Sequence, residues 1–248
     1  MDTTYIFKRI EKKYLLSDTQ YNDLFRRIGS HLKADAYGRS TVMSLYLDTP
    51  DYRIIRDSIE AVDYKEKLRL RSYGRAAADS TVFLELKKKL GGVVYKRRAV
   101  MSLAEAERYL QQGIKPCESQ IMAEIDWAMR LYGRPQPMML IACEREAWFD
   151  EDHPDLRLTF DRNLRYRETA LSLSRDSAGI MLLPERTVLL EIKTAGAMPL
   201  WLADALDAEG ILPGRFSKYG TAYAHRFENK ETLVSIKKEG GTRNVVNF

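Results

Sequence analysis

The chain has 248 residues, 45% of them hydrophobic and 30% charged, with a formal net charge of +5 from 40 Lys and Arg against 35 Asp and Glu. That length suits one large domain or two small ones, and the near balance of charge excludes a uniformly basic chain, so positive charge matters only where it is segregated. No run of eighteen apolar residues spans a membrane, and Cys117 and Cys143 lack the CxxC spacing or neighbouring histidines of a zinc site.

The first predicted element is a strand over residues 5–16, in which Arg9, Glu11 and Lys13 alternate with apolar positions. Ser17-Asp18 caps a helix running to about His31, with Tyr21, Leu24, Phe25 and Ile28 on its apolar stripe. Residues 42–48 read as a strand, residues 51–61 as a short helix, and residues 65–73 as a strand of unusual character. Lys65, Lys67, Arg69 and Arg71 all share one of its faces while Leu68 and Leu70 share the other. Cations in line on one face repel unless something anionic lies between them.

Strands at 81–89 and 93–101 flank Gly91-Gly92, a hairpin signal. The first carries Glu85, Lys87 and Lys89 on one face, and the second carries Lys96 and Arg98. Ser102 and Glu105 form a capping box for a helix to Gln112, and a second helix covers about 119–132, ending at Gly133 and Pro135. Strands follow at 138–149 and 155–162, the latter alternating Arg157, Thr159 and Asp161. A variable segment (168–183) leads to the last strand, 187–194, with Glu191 and Lys193 on one face, and then to a helix from Pro199 to Gly210. The tail 227–248 has many charges and little apolar pattern, so the whole chain reads as one domain with its core over about 5–226.

The fold class expected is α+β: a single antiparallel sheet of about eight strands closed into a tunnel, with helices packed outside. Each strand then gives one face to the core and one charged face to a lumen. A lumen lined by Lys and Arg with a few carboxylates suits a polyanion and a divalent cation. No histidine among His31, His153 and His225 sits in a context that suggests a catalytic base.

The ordered segments RIEKKYLL, SLYLDT, KLRLRSYG, FLELKKK, VVYKRR, CEREAWF, LRLTFDRNL, LLEIKT and RFSKYGTAY resemble the VTC domain, the polyphosphate polymerase domain of the vacuolar transporter chaperone complex, within the CYTH or triphosphate tunnel metalloenzyme superfamily. The resemblance covers roughly residues 5–226. It implies that Arg69 and Arg71 bind substrate phosphates, that Lys87 is the tunnel lysine, and that Arg145 and Arg157 are further phosphate ligands. It implies a metal-binding role for Glu191 with Lys193 beside it, tunnel-facing positions for Ser217 and Lys218, and a basic lining that starts at Lys13. Alternation adds Lys67, Lys96 and Arg98 to the phosphate-binding set. Glu11 and Glu85 read either as metal carboxylates or as counter-ions that hold the cations apart. Where the superfamily carries ExExK on its first strand, this chain has Arg9, leaving RxExK, which argues against two-metal hydrolysis.

The activity implied is transfer of the γ-phosphate of ATP to a growing polyphosphate chain, with Mn²⁺ or Mg²⁺ as cofactor. The alternatives are a tripolyphosphatase or nucleoside triphosphatase of the same fold, and a polyphosphate- or inositol-phosphate-binding module without catalysis. Nucleic acid is not an expected partner, because the cations lie on strand faces among glutamates and no basic helix or RNP-like aromatic pattern occurs. Without a signal peptide or a membrane segment the expected location is cytoplasmic, with a separate membrane protein as a possible receiver of the product. Oligomeric state is left open.

Overall fold

The computed structural model describes residues 10–61, 63–91 and 93–227. Arg9 and the tail beyond 227 lie outside the described residues.

Strand β1 (Ile10–Ser17) passes straight into α1 (Asp18–Ile28), because Ser17 accepts from the Gln20 amide while the Gln20 side chain accepts from the Ser17 amide. This capping box satisfies two amides that the first helical turn leaves unpaired. A 3-10 turn (Gly29–His31) leads into β2 (Lys33–Asp48), twice as long as predicted. Its first half, KADAYGRST, lacks apolar alternation and pairs with β6 (Gln136–Phe149) through an irregularity between Ala34 and Arg39, so no sequence period marks it. At the far end of β2, the fully buried Asp48 accepts from the Thr49, Ile54 and Ile55 amides and so opens α2 (Arg53–Glu60).

The hairpin of β4 (Thr81–Leu90) and β5 (Val93–Ser102) follows β3 (Tyr64–Tyr73). Gly91 turns at φ +53°, the region that a side chain disfavours. The Ser102–Glu105 box starts α3 (Leu103–Gln112), and Ser119 caps α4 (Gln120–Leu131). Next come β6, then β7 (Arg157–Arg167), β8 (Ile180–Met181), β9 (Thr187–Thr194) and α5 (Leu200–Ala208). A last helix, α6, spans residues 218–227 and was not foreseen from the sequence.

All nine strands form one antiparallel sheet in the order β1-β9-β7-β6-β2-β3-β4-β5, with β8 on the side of β7. The predicted closed barrel of about eight strands is thus corrected to an open sheet whose edges, β1 and β5, do not pair with each other among the described residues. Gly214 forms a backbone bridge to Lys13, taking up part of the β1 edge, and the Lys87 ammonium of β4 reaches Glu11 of β1 at 3.4 Å.

Three apolar clusters surround this sheet. Leu68, Leu70, Leu84 and Leu86 pack beneath α3 and α4, while Leu158, Phe160, Leu190 and Ile192 pack beneath α1 and α5. These are the faces that alternation assigned to the core, and each fully buried Leu or Phe contributes about 1.5–3 kcal/mol. The third cluster lies on the opposite parity, the one expected to be charged throughout. Ile141, Cys143, Leu164 and Leu189 pack there against Tyr219 and Ala222 of α6 and against Tyr52 and Ile55. The charged face therefore runs into an apolar end filled by α6. In β7, Asn163 at φ +50° adds one residue opposite Cys143, which keeps both Asp161 and Leu164 on this inner side.

Candidate active site

Charged side chains of the inner face gather around buried carboxylates. Glu85, 1% exposed, accepts from Arg69 Nε at 2.7 Å, Arg98 Nε at 2.7 Å and Lys96 Nζ at 2.7 Å, with Arg71 Nε at 4.0 Å. Against the desolvation of burial, these cations hold its carboxyl far below the usual range. Arg69 also donates to the Tyr46 phenol at 3.3 Å, and Arg71 Nε donates to Ser44 Oγ at 3.3 Å. Both oxygens of Glu85 are engaged by cations, so its counter-ion reading is the one that fits.

A second group centres on Glu191. Lys218 Nζ lies 2.9 Å from Oε1, Arg145 Nη2 lies 3.7 Å from Oε2, and Lys13 and Lys193 stand at 3.9 and 4.0 Å. Next to it Asp161, with no exposed surface, accepts from Arg145 Nε and Nη2 at 2.6 Å each and pairs with Lys218 Nζ at 2.5 Å. Glu11 pairs with Lys13 at 3.3 Å and with Lys87 at 3.4 Å. Burial and Glu191 push its carboxyl up, but Lys87, Lys13 and Lys193 prevail and hold it down at about 2.

Lys67 completes the lining. Its ammonium donates to Ser217 Oγ at 2.8 Å, and the same oxygen accepts from the Gly220 amide at 3.0 Å, so Ser217 caps α6 while it anchors Lys67. Burial, then Lys13, Lys87 and Arg69, push the Lys67 ammonium down to about 8 against the pull of Tyr46. Burial likewise brings Lys96 to about 8 even with Glu85 beside it.

Of the residues singled out from the sequence, Lys13, Lys67, Arg69, Arg71, Lys87, Lys96, Arg98, Arg145, Lys193, Ser217 and Lys218 join this network. Arg157 stands at its rim, cross-strand from Lys193, with its guanidinium over the Phe149 ring and 3.7 Å from Asp35.

A family profile for the VTC domain matches residues 8–227. The chain belongs to this family. No curated protein matches it. Among solved structures, a candidate adenylate cyclase from Bacillus halodurans shares the fold at TM-score 0.53 and 14% identity, over 84% of this chain and 93% of that one. A candidate adenylate cyclase from Vibrio parahaemolyticus aligns at TM-score 0.48 and 11% identity, over 88% and 98% of the two chains. The PH1819 protein of Pyrococcus horikoshii OT3 aligns at TM-score 0.46 and 13% identity, again over 88% and 98%.

In this VTC domain the three carboxylates considered as metal ligands do not form one cluster. Among the described residues no group of three or more His, Cys, Asp or Glu could hold an ion. An all-protein cage is therefore absent. Glu191 and Glu11 are themselves paired with cations, at 3.3 Å or more except for the Lys218 contact, so a divalent ion held there would take most of its ligands from phosphate and water, the usual habit of Mg²⁺.

Sequence reasoning missed the roles of Asp161 and Tyr46. Asp161 had been noted only as one of three alternating residues, although a lone carboxylate in phase with basic neighbours is the signal of a buried pair. Tyr46 alternates with Ser44 on β2 in the same way. Tyr14 and Tyr219 are buried in the core, and the half-buried Trp201 stacks on His31 at 4.3 Å. Of the two cysteines, Cys143 is buried and Cys117 is exposed. Among the described residues no helix is long and apolar enough to cross a membrane.

Proposed function

We propose that this VTC domain is a phosphotransferase that moves the γ-phosphoryl group of ATP onto the end of an inorganic polyphosphate chain. The observation that carries this reading is the convergence of Lys13, Lys67, Arg69, Arg71, Lys87, Lys96, Arg98, Arg145, Lys193 and Lys218 in one network, with Glu11, Glu85, Asp161 and Glu191 as the carboxylates paired to them among the described residues. Such an excess of charge-assisted donors, several of them buried, is costly when empty and complementary to a polyanion.

Phosphoryl transfer asks alignment and charge neutralisation of the protein. Arg69 and Arg71 grip successive phosphates of the bound chain. Lys87, Arg145 and Lys218 neutralise the transferring group, while Lys13, Lys67, Lys96, Arg98, Arg157, Lys193 and Ser217 hold the phosphates on either side. An oxygen of the terminal chain phosphate forms the new bond to the γ-phosphorus as the bond to ADP breaks, and no protein nucleophile is needed. Glu191 with Glu11 would hold a divalent Mn²⁺ or Mg²⁺, which would supply further charge neutralisation. Hydrolysis is the weaker reading, because Arg9 stands where the superfamily's first-strand motif carries a carboxylate that could help hold a second metal.

Incubation with ATP and Mn²⁺, followed by gel analysis, tests the reading: long-chain polyphosphate is expected, and orthophosphate as the sole product would replace it with a hydrolase. Glu191→Gln should keep the fold and most phosphate binding while losing metal-dependent turnover. Full metal-dependent turnover in that variant would refute the role given to Glu191.

A further inference from the structure

Asp161 has no exposed surface, so neither a substrate nor a metal ion reaches it directly. Its contacts to the cations beside it are nonetheless close. Both carboxylate oxygens take a fork from Arg145, Nε to Oδ1 and Nη2 to Oδ2, each at 2.6 Å. The Lys218 ammonium lies 2.5 Å from Oδ2 and 2.9 Å from Glu191 Oε1.

This geometry commits part of each cation and leaves part free. Arg145 offers five N–H bonds, and the edge bearing Nε and one Nη2 bond is taken by Asp161. Among the described residues its hydrogen bonds and ion pairs run through Nε and Nη2, leaving Nη1 for a ligand. Lys218 donates to Glu191 and forms a close ion pair with Asp161, which holds its ammonium between the two carboxylates. Arginine and lysine side chains are otherwise rich in rotamers, and fixing one end in a bidentate fork removes most of that freedom before any ligand arrives. The backbone supplies the other half of the device. Asp161 sits just before the extra residue Asn163 in β7, and Arg145 stands directly across from it in β6, while Lys218 enters from the first turn of α6. Three separate elements therefore meet at this one carboxylate.

We infer that Asp161 is the positioning residue of the site: it aims the free edge of Arg145 and the ammonium of Lys218 at one phosphate, the one undergoing transfer. This rests on the phosphotransferase reading above, and it specifies which cations are preset and by what. A carboxylate in this place weakens ground-state binding of a polyanion, since it cancels positive charge. Its value lies in orientation, which is felt in turnover.

The test is a comparison of Asp161→Asn with the wild type in steady-state turnover of ATP and in calorimetric binding of tripolyphosphate. The variant is expected to lose at least tenfold in kcat with KM and tripolyphosphate affinity unchanged or improved. A purely structural role predicts joint loss of kcat and affinity, and either that result or an unchanged kcat overturns the inference. Because Asn leaves two buried cations without their carboxylate, a second comparison uses Lys218→Met and the double variant, in which the losses of charge balance. If Asp161 acts through Lys218, adding Asp161→Asn to Lys218→Met costs far less than it does alone, whereas full additivity rejects the coupling. If the wild type turns over neither ATP nor tripolyphosphate, the functional reading falls separately. Asp161 is then judged by the same cycle in tripolyphosphate affinity, where coupling between the two substitutions supports the inference and additivity overturns it.

Discussion

Neighbouring arginines with one alternation pattern do different work. Arg69 and Arg71 look equivalent in KLRLRSYG, yet Arg69 is bound to Glu85 and Tyr46, while Arg71 has a single bond to Ser44 and Glu85 only at 4.0 Å. Burial, Arg69 and Arg145 all act against the charge of Arg71. Arg71→Ala should therefore melt no lower than the wild type without ligand. Its tripolyphosphate-induced rise in Tm should shrink sharply, since loss of a charge-assisted bond worth about 1.5–3 kcal/mol lowers affinity roughly ten- to hundredfold. Arg69→Ala should lower the ligand-free Tm as well, and equal behaviour of the two variants would contradict the distinction. Lys67 gives a pH dependence with a defined sign. Its ammonium falls from 10.5 in the unfolded chain to about 8 in the folded one, so above pH 8 the unfolded state binds more protons and stability rises with pH. Lys96 acts in the same sense. The rise should be visible between pH 8 and 9, before the Cys143 thiol, pushed up to about 12 by burial, begins to oppose it. Tripolyphosphate affinity should fall over the same interval as Lys67 loses its charge. A ligand-free Tm that drops between pH 8 and 9, measured by melts in non-coordinating buffer, would remove Lys67 from the lining.

Strands and helices carry the second level of the design, and β7 is the clearest case. Asn163 adopts φ +50° and its side-chain amide donates to Glu144 at 3.0 Å. Without the extra residue, Leu164 and Tyr166 would leave the inner apolar cluster and turn outward, because the side-chain period of a strand is two. Asn163→Gly should be nearly neutral, Asn163→Val should cost about 1–2 kcal/mol, and deletion of Asn163 should abolish cooperative unfolding in thermal melts. This bulge also explains why the predicted strand stopped at residue 162: the alternation that defines it breaks there. The Ser17 and Ser102 boxes, the Gly91 turn and the apolar faces of β3, β4 and β9 were legible, since each is set by local chemistry or a strict period. The 33–41 half of β2 and all of α6 were not. The former is held by pairing with β6 instead of by its own pattern, and the latter follows Ser217, whose capping role was hidden by its match to a tunnel motif. Within the site, the basic residues of β1, β3, β4, β5, β7 and β9 were legible by parity and Arg145 and Lys218 only through the family resemblance, whereas the partition of carboxylates into counter-ions and candidate metal ligands depends on distances that no sequence spacing encodes.

At the scale of the molecule, α6 joins the sheet to the site. Tyr219, 1% exposed, stacks on Tyr46 at 4.3 Å and donates to Asp48 at 2.8 Å, while its neighbours Ser217 and Lys218 face the charged end. Tyr219→Ala should cost about 3–5 kcal/mol through the cavity it opens and the bond it removes, and should weaken phosphate binding indirectly by loosening Tyr46 and Arg69. A Tm within a degree of the wild type would show that α6 is not part of the core. The lining of cations around Glu85 and Glu191 has one practical corollary. Any multivalent anion in a preparation acts as an excipient for this protein. In sulfate or phosphate buffer it should store well, melt late and turn over slowly, while in chloride or acetate it should be more fragile and more active. Two laboratories using those two recipes would describe different proteins, and exhaustive dialysis into a monovalent salt is what would bring their measurements together.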